Sequence, residues 1–161
     1  MPNLLIVCTA NICRSPVVEA LVRERLEKEE NGRWKVASAG TWADFGNQAS
    51  FYSIELMAER GLDISNHSSQ PVTRKLLSES DLVLCLASGH VEALKAEFPE
   101  FADKIYLLTE MSGTGYSVHD PYGEPRPAYE RMVGEVSDLV DNGFARLTEL
   151  ARQNEIRRLE S

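Results

Sequence analysis

The chain has 161 residues, of which 43% are hydrophobic and 26% charged, with a net charge of −8. That composition fits a single globular domain over residues 1–161 with room for one sizeable core. The acidic balance argues against a nucleic-acid partner, whose footprint is a basic patch.

Three cysteines, Cys8, Cys13 and Cys85, are too few and too odd a set for a disulfide framework. The start MPNLLIVC lacks the basic flank and long apolar stretch of a signal peptide. No run approaches the ~18 apolar residues of a membrane span. A cytoplasmic setting without membrane insertion is expected.

The first apolar run, Asn3 to Cys8, reads as a buried strand of a parallel sheet. From Ser15 the spacing of Val18, Leu21, Val22 and Leu26 predicts an amphipathic helix, with Pro16 in its first turn and Gly32 near its stop. Trp34 to Ser38 reads as a second strand ended by Ala39-Gly40-Thr41. A helix over Ser50 to Glu59 stops at Gly61. Thr73 to Ser78 reads as a short helix, Leu82 to Leu86 as a third strand, Ser88 to Phe98 as a helix ended by Pro99, and Ile105 to Leu108 as a fourth strand. Met111 to Pro127 is rich in Gly and Pro and reads mainly as loop. A long amphipathic helix over Ala128 to Arg152 closes the pattern, with Gly134 or Gly143 as a place for a break. Strands alternating with helices imply a three-layer α/β sandwich around a parallel sheet, with ligands bound beyond the carboxyl ends of its strands.

The segment VCTANICRSP lies at such an end. Between a strand and a helix, backbone N–H groups and the helix dipole form a nest for a tetrahedral anion, and the same nest favours a thiolate at its centre. Cys8 is placed to be that thiolate. Six positions on, Arg14 can fork two donors onto phosphate oxygens, and Ser15 can donate its hydroxyl to the sulfur. Together they point to covalent phosphoryl transfer through Cys8, with the backbone and Arg14 supplying the positive charge. No metal and no cofactor are expected. Cys8 and Cys13 as zinc ligands would have a loose C-x4-C spacing and no second ligand pair. The loop also lacks the G-x4-G-K-[ST] of nucleotide-binding enzymes. Transfer from a phenol-like oxygen needs a proton donor, and "VHDPYGEP" offers Asp120 on the loop after the fourth strand, with Glu124 as the next candidate.

With both loops in hand, the chain resembles the low-molecular-weight protein tyrosine phosphatases. The resemblance rests on V-C-T-A-N-I-C-R-S-P, on S-A-G-T at Ser38 to Thr41, on G-L-D-I-S-N-H at Gly61 to His67 and on D-P-Y at Asp120 to Tyr122. It implies a four-stranded parallel sheet of the phosphatase I type. It also implies a two-step hydrolysis of phosphotyrosine: Cys8 attacks phosphorus while Asp120 protonates the leaving oxygen, and Asp120 then activates water against the phosphocysteine. Arg14 would bind substrate and stabilise both transition states. Thr9, Ala10, Asn11, Ile12 and Cys13 would complete the phosphate loop. Asn11 would hold its shape through Ser38 and His67, with Ser15 in the same network.

By residue type, Asn11 suits a left-handed backbone position, whereas Ala10, where the family often has Gly, must avoid positive φ. Substrate contacts would fall to Ile12, Tyr122 and an aromatic at the pocket mouth, either Trp42 or Phe45. Gly123 stands where many members carry a second aromatic. The partner is then a phosphotyrosine-bearing protein, a tyrosine kinase among the candidates.

Two rivals use the same fold. Arsenate reductase needs relay cysteines, and only Cys85, which reads as core, lies beyond the loop. A protein arginine phosphatase favours Thr where this chain has Ile12, whose branched side chain suits an aromatic ring. Cys13 lies in the same curled loop as Cys8, so a protective disulfide between them, making the enzyme reversibly redox-sensitive, is also expected.

Overall fold

The computed structural model describes residues 1–30 and 33–161, so the expected helix stop at Gly32 lies outside the described residues. Strand β1 (Asn3–Cys8) is the centre of the architecture. It pairs in parallel with β2 (Lys35–Gly40) on one side and with β3 (Leu82–Cys85) on the other; β3 in turn pairs with β4 (Ile105–Leu107), giving the order β2-β1-β3-β4. The apolar run of β1 has the composition of a strand covered on both faces. Its side chains alternate accordingly. Leu4, Ile6 and Cys8 enter one core, and Leu5 and Val7 enter the other.

The first core packs α1 (Arg14–Glu29), α2 (Phe51–Glu59) and α5 (Arg126–Glu160) on one face of the sheet through Val18, Val22, Met57, Val136 and Leu147. The second packs α3 (Arg74–Glu79) and α4 (Ser88–Glu97) on the other through Leu77 and Leu94. The result is the expected three-layer α/β sandwich with a four-stranded parallel sheet. The chain leaves β1 toward one edge and resumes at β3 on the opposite side. The loops after β1 and β3 therefore diverge, and this is where an open α/β sheet leaves a crevice.

Element limits moved where tertiary contacts override local pattern. Strand β2 runs on through Ala39 and Gly40, because Gly40 pairs with Cys8 and bridges Pro71. Phe98 caps α4, and Pro99 opens a 3-10 turn, Pro99–Lys104, rather than only ending the helix. A second 3-10 turn, Leu108–Ser112, takes in the last residue of the expected fourth strand and the first two of the expected loop. Helix α5 begins at Arg126 and continues well past Arg152. Its apolar stripe lapses there, but polar anchors take over. Asn154 donates to the Asp81 carbonyl at 2.9 Å, Arg158 Nε donates to the buried Asp81 carboxylate at 2.6 Å, and Glu155 pairs with the N-terminal amine at 2.5 Å.

Neither Gly134 nor Gly143 breaks α5, and the two differ in kind. A β-carbon on Gly143 would lie 2.6 Å from Met111 Cβ, whereas one on Gly134 would meet nothing within 4 Å. Gly143→Ala should therefore lower the unfolding free energy by about 1–3 kcal/mol through overpacking. Gly134→Ala should raise it by roughly 0.5–1 kcal/mol through helix propensity. Urea unfolding of both variants checks the pair, and shifts of the same sign would refute it.

Candidate active site

Cys8 ends β1 with only 2% of its surface exposed. The chain then turns through Thr9 to Cys13 and enters α1 at Arg14, so the first buried turn of the helix carries Arg14, Ser15 and Pro16. One backbone residue makes this turn possible. Asn11 sits at φ 61, the single non-glycine residue with positive φ among those described. Asparagine tolerates this region better than most residues. Ala10 does not need it.

The side chain of Asn11 is fully buried, and its polar atoms are satisfied. Nδ2 donates to Ser15 Oγ at 2.7 Å and to Ser38 Oγ at 2.9 Å, while Oδ1 accepts from the Gln70 backbone N–H at 3.1 Å. His67 Nε2 donates to the Asn11 carbonyl at 2.6 Å. Ser38 passes its own hydroxyl hydrogen to Glu19 Oε1 at 2.5 Å. Ser15 Oγ, having accepted from Asn11, has its hydrogen free for Cys8 Sγ at 3.0 Å. The directions follow from the amide, which can only donate through nitrogen.

Gly40 explains the S-A-G-T segment. A β-carbon there would lie 2.3 Å from the Thr9 carbonyl oxygen and 2.7 Å from Ala43 Cβ. The end of β2 can thus close against the loop, with Thr41 N–H donating to the Cys8 carbonyl and Trp42 N–H to the Thr9 carbonyl, each at 2.9 Å.

Arg14 is 3% exposed. Nη1 donates to the Val118 carbonyl at 2.8 Å and Nη2 to Thr9 Oγ1 at 3.3 Å, while Nε has no partner among the described residues. Val118 is itself held by its N–H on the Leu86 carbonyl at 2.7 Å, which fastens the Asp120 loop to the end of β3. Asp120 Oδ2 lies 3.6 Å from Arg14 Nη2, and its Oδ1 accepts from the Tyr122 N–H at 3.1 Å. The carboxyl is half-exposed, at the rim of the cavity rather than its floor.

That cavity, of about 340 Å³, is lined by Cys8, Thr9, Ala10, Ile12, Cys13 and Arg14 below, and by Trp42, Asn47, Asp120 and Tyr122 at its mouth. Trp42 rather than Phe45 is the lining aromatic; both are largely exposed. The recess around Phe101, Lys104 and Arg158, of about 310 Å³, contains no cysteine.

The cysteines divide sharply. Cys13 Sγ lies 2.9 Å from Ser50 Oγ and 3.4 Å from the Tyr129 hydroxyl, and burial raises its pKa, so it is a protonated thiol beneath the loop. Burial, and then the bond to Cys13, pushes Tyr129 up to about 12. Cys85 is fully buried in the opposite core, and burial likewise raises its pKa. All three are free thiols. Among the described residues no group of three or more His, Cys, Asp or Glu side chains is arranged to hold a metal ion.

Sequence reasoning missed Glu19, Gln70, Asn47 and His90. Glu19 lies one helical turn beyond Ser15 on α1 and could have been sought there. Nothing local marked Gln70 or His90, which arrive from distant elements.

The chain matches the family described as low molecular weight phosphotyrosine protein phosphatase over residues 3–155. It is 32% identical to a protein-arginine-phosphatase of Bacillus subtilis over 139 residues, covering 86% of this chain and 91% of the relative. It is 31% identical to the low molecular weight protein-tyrosine-phosphatase Etp of Escherichia coli over 146 residues, covering 91% and 95%. The crystal structure of a low molecular weight protein tyrosine phosphatase from T. tengcongensis superposes with a TM-score of 0.84 at 37% identity, covering 91% of this chain and 99% of that one. With the match running almost end to end, the chain belongs to the low molecular weight phosphotyrosine protein phosphatase family.

Proposed function

We propose that this single domain, residues 1–161, hydrolyses phosphotyrosine on proteins through a phosphocysteine on Cys8. The observation that carries this reading is the buried Arg14 guanidinium beside Cys8, held from two sides and with its Nε unpartnered. A buried donor left unmade is costly, and a phosphate oxygen seated over the loop would satisfy it.

In the first step the Cys8 thiolate attacks phosphorus in line with the bond to the phenolic oxygen. As that bond breaks, Asp120 transfers its proton to the departing oxygen, so tyrosine leaves neutral. Arg14 and the N–H groups of the loop stabilise the charge spread over the equatorial oxygens. In the second step the Asp120 carboxylate takes a proton from water as the water oxygen bonds to phosphorus. The S–P bond breaks, inorganic phosphate departs, and the Ser15 hydroxyl steadies the released thiolate.

The relatives carry names with both phosphotyrosine and phosphoarginine specificity, and Ile12 favours the former. Its branched apolar side chain stands in the cavity with Trp42 and Tyr122 above, a setting for a planar ring rather than a guanidinium. A tyrosine kinase or its substrate is the partner class this implies. Cys13, although held by Ser50 and Tyr129, is also the nearest thiol in sequence to a sulfenic acid on Cys8. We propose that it captures that acid as a disulfide with release of water.

Cys8→Ser should retain less than roughly a hundredth of wild-type turnover, since an alcohol is not ionised by the same cradle. Asp120→Asn should slow an aryl phosphate with a poor leaving group by about 10²–10⁴-fold and one with a good leaving group much less. Equal losses would move the acid elsewhere, to Glu124 first.

On a side-by-side panel, wild type should prefer a phosphotyrosyl peptide over a phosphoarginyl protein, and Ile12→Thr should narrow that preference. The reverse order in wild type would assign the chain to arginine dephosphorylation, and arsenate reduction would assign it to redox chemistry. After peroxide, mass spectrometry should find a Cys8–Cys13 link, and Cys13→Ser should recover less activity in dithiothreitol. Equal recovery without the link would leave Cys13 a packing residue.

A further inference from the structure

The crevice between β1 and β3 contains a second built arrangement that the reaction scheme does not use. His90 stands in the first turn of α4, directly after β3, and is 6% exposed. Its Nδ1 lies 3.1 Å from the Ala87 backbone nitrogen, and its Nε2 lies 2.9 Å from Thr9 Oγ1 across the crevice. The backbone N–H can only donate, so Nδ1 carries the lone pair and Nε2 carries the proton. Thr9 Oγ1 therefore accepts from His90. It also accepts from Arg14 Nη2 at 3.3 Å. One hydroxyl oxygen thus joins α4, the phosphate loop and the buried guanidinium.

We propose that His90 is a positioning residue for Arg14: its Nε2–H fixes the Thr9 hydroxyl as the acceptor that, with the Val118 carbonyl, aims the guanidinium into the loop. The alternative partner for Nη2 is close by, since Asp120 Oδ2 is 3.6 Å away. Were Thr9 free to rotate, Arg14 could swing onto that carboxylate. A tight pair there would take charge from the phosphate site and hold Asp120 in the ionised form, the wrong one for donating a proton.

The hydrogen-bond geometry sets the tautomer, and the surroundings keep the ring neutral. Burial, and then the positive charge of Arg14, lower its pKa to about 4, against a smaller opposing influence from Asp120. The ring accordingly stays neutral wherever the reaction would run. The proposal rests on reading Arg14 as a phosphate ligand.

The two contacts of the ring can be separated chemically. In His90→Asn the amide oxygen falls near the position of Nδ1 and keeps the cap on Ala87, but the side chain is too short to reach Thr9. In His90→Gln the amide nitrogen falls near Nε2 and restores the bond to Thr9 at the expense of the cap. Competitive inhibition by inorganic phosphate and the thermal midpoint are measured for each, together with Thr9→Val.

His90→Asn should raise the phosphate inhibition constant roughly tenfold, the scale of one hydrogen bond near a charge, with a midpoint close to wild type. His90→Gln should lower the midpoint and recover most of the phosphate affinity. Joining Thr9→Val to His90→Asn should cost no more than the larger single loss, because both act through one contact. Unchanged phosphate inhibition in His90→Asn, additive losses in the double variant, or losses that only track the midpoint would each overturn the proposal. A wild type that phosphate fails to inhibit would instead strike the reading of Arg14. Independently of any variant, nitrogen NMR of the wild type should show a neutral His90 protonated on Nε2 from about pH 5 to 8; a ring titrating in that range, or protonated on Nδ1, would overturn it.

Discussion

Everything in the site depends on a single residue held in the left-handed region. Asn11 at φ 61 is what lets the chain leave β1, curl and enter α1 within the five residues between Cys8 and Arg14. For an L-residue that conformation costs of order 1–2 kcal/mol. It persists because the surroundings over-determine it. Ser15, Ser38 and Gln70 bind the side chain, and His67 binds the carbonyl. Ser15 is local, but Ser38 comes from β2 and His67 and Gln70 from the segment after α2, so the loop takes its shape only once these have assembled around it. Its rigidity is therefore a tertiary property, although its sequence is contiguous.

A second constraint follows from charge. The protein is acidic overall, yet the floor of the cavity contains a buried guanidinium. A buried charge is tolerable only when hydrogen-bonded. Here two neutral oxygens, the Val118 carbonyl and the Thr9 hydroxyl, do most of the holding, and the nearest carboxylate stays at salt-bridge distance rather than in contact. That choice leaves the positive charge largely uncompensated, which suits a site that must accept an anion. The acidic exterior and the cationic floor are consistent, because screening is strong at the surface and weak in a buried crevice.

The architecture was legible because it is written in local pattern. Strand β1 is one apolar run, and the stripe on α1 repeats at helical spacing, so the limits of β1 and the start of α1 are legible to within a residue. The boundaries that moved were those set at a distance. Strand β2 extends through Gly40 because its partner is Cys8, and α5 extends to Glu160 because Asp81, seventy-odd residues away, receives Arg158. The site divides in the same way. Cys8, Arg14, Ser15 and Asn11 share one loop and could be read together. His90 and Gln70 carry no motif, and their roles arise only because strand order places the loop after β1 against α4 on one side and the segment after α2 on the other. Trp42 follows Gly40 so closely that sequence could not choose between it and Phe45, whereas the cavity lining does.

The three cysteines show why residue type alone could not assign the chemistry. Each is buried, and none is in a disulfide. Burial by itself disfavours the thiolate, and at Cys85, surrounded by Val83, Leu94 and Ile105 in the second core, nothing opposes that effect enough to matter. At Cys13 the neighbours are Ser50 and Tyr129, donors strong enough to fix the sulfur but too few to offset its burial. At Cys8 the surroundings change character. The Ser15 hydroxyl, oriented by Asn11, points its hydrogen at the sulfur, and the first turn of α1 and Arg14 lie on the same side. Position at a strand end, a helix start and a buried cation together set Cys8 apart from the other two sulfurs, and this is the basis on which it is proposed as the nucleophile. Moving a cysteine a few residues along this chain would therefore change its reactivity more than most substitutions beside it.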